Sequence, residues 1–84
     1  MILNNLKLIN ETEKAYQFEF KGFGFWVPKS ITKLIQTSIE ITPKFSDFEL
    51  KFTDLADKNN RFSISVNLVR NELVLLAIID QLKG

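Results

Sequence analysis

The chain of 84 residues contains neither cysteine nor histidine. Without cysteine it can form no disulfide framework and no thiolate zinc site. Without histidine it lacks the commonest general base, the commonest metal ligand and the side chain that titrates near neutral pH. These two absences argue against nucleophilic and metal-dependent catalysis, so the sequence predicts a non-enzymatic protein that needs no metal or other cofactor.

The chain also lacks a long hydrophobic run. The longest apolar stretch extends from Leu73 to Ile79, whereas a membrane-spanning helix needs about 20 apolar residues. We therefore expect no contact with the membrane and a soluble protein of the cytoplasm. The net charge of +1 gives no general attraction to nucleic acid. A hydrophobic fraction of 45% and a charged fraction of 25% are typical of globular proteins, so residues 1–84 are expected to form a single compact domain.

What the chain does contain is alternation of apolar and polar residues. This period of two is typical of half-buried β-strands, and it predicts strands near residues 6–10, 16–20, 48–52 and 62–68. Residues 30–39 are ambiguous between helix and strand. We favour a short helical or irregular segment there, followed by a strand at Ser38–Thr42.

The end of the chain has a different pattern. Asn71 is a good helix cap and Glu72 suits a first helical turn, which favours a helix over 71–83. The alternative is a strand paired with residues 62–69. The predicted fold is therefore α+β: a small antiparallel β-sheet of four to five strands with a C-terminal helix packed on one face. The helix is apolar nearly all round, so it should pack on the sheet or on a second chain; a homodimer through the 71–83 helix is one hypothesis.

The most specific segment is an aromatic hairpin. Gly22 and Gly24 can supply the positive φ angles of a reversal, which places Phe23 at the tip. The returning strand ends at Pro28, which has no N–H to donate. Trp26 is out of phase with its two apolar neighbours. It should therefore pack under the closing helix or be exposed as an anchor for a partner.

This hairpin resembles a known group of sequences. Thr12-Glu13-Lys14-Ala15, the alternating strand, the glycine turn and Trp26-Val27-Pro28-Lys29-Ser30 are similar to a TEKA…W(I/V)PKS pattern. That pattern occurs in small, mostly uncharacterised proteins of bacteriophages and other mobile elements. The resemblance covers residues 12–31 and implies a phage-like origin and a compact β-rich fold. It transfers no catalytic residue, and the apolar stretch Ile31 to Ile35 departs from the pattern.

We therefore hypothesise a phage-like binding protein that acts by protein–protein contact on a larger host or phage complex. By analogy of origin and size, the target could be a host defence machine, as it is for anti-CRISPR proteins. The expected contact residues are Phe23, Trp26, Lys21 and Lys29. The alternative is an accessory protein that binds single-stranded nucleic acid, with aromatic rings stacking on bases and lysines following the phosphates.

Overall fold

In the computed structural model, which describes residues 1–44 and 48–83, the alternating segments pair into two antiparallel sheets. In chain order the strands are β1 (Ile2–Leu3), β2 (Lys7–Glu11), β3 (Ala15–Phe20), β4 (Phe23–Pro28), β5 (Thr32–Ile35), β6 (Ser38–Ile41), β7 (Glu49–Asp54) and β8 (Arg61–Ser65). The larger sheet has the order β2-β3-β4-β7-β8 and the smaller one β1-β6-β5. Two helices follow, α1 (Val66–Val69) and α2 (Glu72–Lys83).

The predicted α+β class, with antiparallel strands and a C-terminal helix, is confirmed. The second sheet was not expected, and two of its three strands, β5 and β6, follow Pro28. A 3-10 turn at Lys29–Ile31 redirects the chain, which then forms the β5–β6 hairpin through a turn in which Gln36 has a φ of 57°. The predicted helical segment is thus limited to this short turn, while the strand beginning at Ser38 is confirmed.

The turn of the aromatic hairpin differs from the prediction. The reversal uses Lys21 and Gly22, with φ angles of 54° and 86°, and pairs Phe20 with Phe23. Two-residue hairpin turns with positive φ at both central positions match the twist of the flanking strands. The prediction that Gly24 belongs to the turn is wrong, because it lies inside β4. Phe23 is therefore the first paired residue of that strand and not the tip of a loop.

An aromatic core lies on the inner side of the larger sheet. The ring of Phe25 is 4.7 Å from that of Phe52, and Phe52 stacks on Phe62 at 4.9 Å, measured between ring centroids. Each fully buried phenylalanine contributes about 1.5–3 kcal/mol relative to an exposed one. Residues of the smaller sheet and of α2 complete this core, among them Leu3, Ile39, Ile41, Leu75 and Ile79.

The C-terminal region confirms the helix and shortens the strand before it. The main-chain N–H of Val74 donates to Asn71 Oδ1 at 3.1 Å, so Asn71 caps α2 as expected. The strand predicted to continue through residue 68 is wrong beyond Ser65, where α1 begins. Val66 and Val69 are buried three residues apart, a spacing that suits a helical turn. Within residues 1–44 and 48–83, no helix has the length and apolarity to cross a membrane.

Candidate functional site

Trp26 lies on the outer face of the larger sheet. Strand alternation directs its side chain away from the buried Phe25 and Val27, and it is 45% exposed. The strand that carries it, β4, is central in the sheet, and its paired residue on β3 is Gln17. Further polar side chains share this face, including Glu19, Lys51, Thr53 and Ser63. Trp26 is thus a large aromatic group in the middle of a mainly polar surface.

A groove opens beside Trp26 between β4 and β7. The registered pairing of these two strands ends at Phe25 and Phe52, although both strands continue. The groove has a volume of about 520 Å³. Its lining residues come from three parts of the chain: Lys14, Ala15, Trp26, Val27, Pro28, Phe48, Glu49 and Lys51. The end of the β4–β7 pairing therefore leaves room for a ligand beside the exposed indole ring.

The groove combines an apolar wall with a charged rim. Trp26, Pro28 and the half-buried Phe48 supply apolar surface. Two lysines, Lys14 and Lys51, and one acid, Glu49, supply the charges. Neither lysine forms an ion pair within the part of the chain that the structure describes. The rim therefore favours a partner that brings an apolar side chain together with an acidic group.

Lys29, one of the predicted contact residues, has partners within the chain. Its Nζ forms an ion pair with the Glu11 carboxylate and lies 4.8 Å from the centroid of the Tyr16 ring. Only 27% of its side chain is exposed. Lys21 is exposed but lies in the turn at the far end of the hairpin from Pro28. The structure therefore does not bring these two lysines to the groove beside Trp26.

The structure buries Phe23, a predicted contact residue, which was expected to be exposed at the tip of the turn. Its side chain is fully buried and packs edge to face against Phe62, with 5.2 Å between ring centroids. The cause is the position of the turn, because a shift of one residue moves a side chain to the opposite face of a strand. Of the four predicted contact residues, Trp26 is the one that lines the groove.

The sequence interpretation missed the partners of Trp26 in the groove. The outward position of Lys51 can be predicted from the sequence, because Lys51 alternates with the buried Leu50 and Phe52. That Lys51 lines the same groove as Trp26 cannot be predicted from the sequence pattern, since it depends on the pairing of β7 with β4 across more than twenty intervening residues. Local periodicity carries no information about such a long-range pairing.

The fold and the groove define a small α+β domain with an exposed tryptophan on its larger sheet. Comparisons with protein-family models, with curated proteins and with solved structures gave no match. Within residues 1–44 and 48–83, no group of three or more acidic, cysteine or histidine side chains is placed to hold a metal ion.

Proposed function

We propose that this chain is a non-enzymatic binding protein that docks a protein partner over Trp26. The observation that carries the proposal is a half-exposed tryptophan in the central strand of a polar sheet face, beside an apolar groove. Tryptophan is enriched among the residues that dominate binding energy in protein interfaces. Its large ring gains from desolvation, while its N–H can still donate to a partner.

The partner's chemistry follows from the lining of the groove. An apolar side chain of the partner packs between Trp26 and Phe48, where water is displaced from both surfaces. Lys14 and Lys51 then pair with acidic groups at the rim. An apolar centre surrounded by a polar rim is the usual anatomy of a protein interface. The proposed ligand is therefore a protein segment with an apolar anchor flanked by acidic residues.

The biological setting is proposed from the resemblance of the hairpin to phage and mobile-element proteins. On that basis the partner is a larger host or phage protein complex in the cytoplasm, and the effect of binding is inhibition. A host defence machine is the proposed target by analogy with anti-CRISPR proteins, which are also small and of phage origin.

Binding of single-stranded nucleic acid is the second candidate function. It is favoured by one observation, that Lys14 and Lys51 flank an exposed ring able to stack on a base. Two other observations favour a protein partner. Glu49 lines the same groove and repels phosphates, and Phe18 and Phe20 lie in the core, so the hairpin offers no row of rings for successive bases.

Affinity capture with matched variants tests the proposal. The immobilised protein, its Trp26→Ala variant and its Leu34→Ala variant are each incubated with a lysate of the natural host. Leu34 is a suitable control because it is 46% exposed, much like Trp26, but lies on β5 of the smaller sheet. We expect the wild type and Leu34→Ala to retain the same protein and Trp26→Ala to lose it. Retention by a folded Trp26→Ala variant contradicts the proposal.

A second measurement separates the two candidate functions. The captured protein is purified and titrated against this chain while the fluorescence of Trp26, the single tryptophan, is recorded. In parallel, single-stranded oligo(dT) is tested by gel shift over a range of salt concentrations. Protein binding should shift the Trp26 emission to shorter wavelength with weak salt dependence. Oligo(dT) binding that falls steeply with salt indicates the nucleic-acid function instead.

A further inference from the structure

The outward side of α2 is apolar. Leu75 and Ile79 face the core, whereas Leu73 is 77% exposed, and Val74 and Ala77 are exposed beside it. Residues 73, 74 and 77 share one side of a helix, and we call them the α2 stripe. Just before α2, Leu68 on α1 is 83% exposed. Leucines this exposed and this close in the chain are typical of an interaction surface.

The charges at the two ends of the α2 stripe have opposite signs. Arg70, which ends α1, lies just before α2, and Asp80 follows the stripe; both are exposed, while the Glu72 carboxylate in the first turn of α2 accepts hydrogen bonds from Asn4. If two copies pair with antiparallel helices, the segment between α1 and α2 of each copy, which carries Arg70, comes near the end of α2 of the other copy, which carries Asp80. A parallel arrangement would bring like charges together at both ends. Charge complementarity therefore selects an antiparallel second copy of this chain as the occupant of the stripe.

The sizes of the side chains agree with the same register. In an antiparallel pair centred at position 75, residue 73 of one copy faces residue 77 of the other. Leu73 of each copy then contacts Ala77 of the other, and the two contacts are related by the two-fold axis. A large side chain opposite a small one lets neighbouring helices interdigitate at close distance. The register that pairs the charges is thus also the one that fits the apolar residues.

We propose that the chain forms a two-fold symmetric homodimer through antiparallel packing of α2 on α2. This inference goes beyond the proposed function and does not depend on it. The α2 helix packs on the inner side of the larger sheet, and Trp26 points from the outer side. The dimer therefore leaves both Trp26 grooves open and presents two binding sites to one partner complex.

Sedimentation equilibrium tests the dimer on the full chain. From about 1 µM to about 1 mM protein, we expect the average mass to rise from that of a monomer to that of a dimer. The Leu73→Ser variant should weaken dimerisation by about tenfold or more. Leu8→Ser is the matched control, because Leu8 is 46% exposed on β2, outside the stripe. A wild type that stays monomeric, or a dimer unaffected by Leu73→Ser, overturns the proposal.

A charge exchange tests the antiparallel register. The Arg70→Glu variant has an acidic residue at both ends of the α2 stripe, and the Asp80→Arg variant has a basic residue at both ends. Each variant alone should therefore dimerise less than the wild type. Mixed together, they restore both opposite-charge contacts, and a heterodimer should form. Arg70 Nε also donates to the Asn67 carbonyl at 2.8 Å, so circular dichroism must show that each variant is folded. Folded variants that fail to associate when mixed overturn the antiparallel arrangement.

Discussion

The two faces of β4 use aromatic residues in opposite ways. On the inner face Phe23 and Phe25 are buried and pack against Phe62 and Phe52. On the outer face Trp26 is half-exposed and borders an open groove. These residues are close neighbours in the chain and similar in hydrophobicity. Strand parity, and not residue type, therefore separates a ring that stabilises the fold from one available to a partner.

The outer face is itself divided at Gly24. A Cβ atom placed on Gly24 would lie 2.9 Å from Leu55 Cδ2, so the segment after β7 covers the sheet at this point. The N–H of Leu55 donates to the Gly22 carbonyl at 3.0 Å, which holds the segment against the turn. Two residues further along β4 the face is open at Trp26. Glycine thus permits close packing at one end of the strand, and tryptophan is left exposed toward the other.

The largest effect is expected on the inner face, from Phe25→Ala. The change removes contacts with Phe18 and Phe52 and should cost about 3–5 kcal/mol of unfolding free energy. A domain of this size has roughly 4–13 kcal/mol in total, so the variant should be largely destabilised. Urea denaturation followed by circular dichroism measures the loss. Phe25→Leu is the control and should lose much less, since it retains most of the volume; equal losses would contradict a packing role.

Trp26→Ala should separate binding from stability. Because the ring is half-exposed, we expect a stability loss of about 1–2 kcal/mol, smaller than for Phe25→Ala. Partner affinity should fall by about 2 kcal/mol or more, about thirtyfold, as for a central interface residue. Urea denaturation and titration with the captured protein give the two quantities. A loss of stability as large as that of Phe25→Ala would remove the distinction between the two faces.

Gly24→Ala tests the covered end of the outer face. Alanine is more favourable than glycine within a strand by about 0.5–1 kcal/mol, but its Cβ requires the Leu55 side chain to move. In a Leu55→Ala background we therefore expect Gly24→Ala to stabilise the protein. In the wild-type background the gain should be smaller or reversed. Urea denaturation of the wild type, the two single variants and the double variant gives the coupling free energy between positions 24 and 55. Identical effects of Gly24→Ala in both backgrounds would mean that Leu55 does not limit the space for a side chain at position 24.

The smallest effect is expected from Lys29→Met. The Lys29–Glu11 ion pair is partly exposed, and such pairs contribute less than about 1 kcal/mol. A double-mutant cycle with Glu11→Gln at low and high salt isolates this contribution, which should decrease as salt rises. Partner affinity should be unchanged, since Lys29 does not line the groove. A marked loss of partner affinity would indicate that Lys29 does contact the partner.

Much of the local structure was predictable because it depends on neighbours in the chain. The alternation from Tyr16 to Phe20 and the Asn71 cap identified β3 and α2 from short segments. The turn between β3 and β4 was harder to predict, because Lys21 adopts a positive φ angle that non-glycine residues seldom take. That single residue decided whether Phe23 was exposed or buried. The division into two sheets also escaped prediction, because β1 pairs with β6 almost forty residues away.

By itself, the sequence determined the elements that local physical chemistry specifies: alternating strands, a proline at the end of β4, a capped helix and the opposite phase of Trp26 and Phe25. Only the tertiary structure decided what surrounds Trp26. The groove exists because β7 pairs with β4 as far as Phe25 and no further. Because of that pairing, Lys51 and Phe48 line the same groove as Trp26. The register of the pairing depends on the packing of the whole core, which no short segment of the chain encodes.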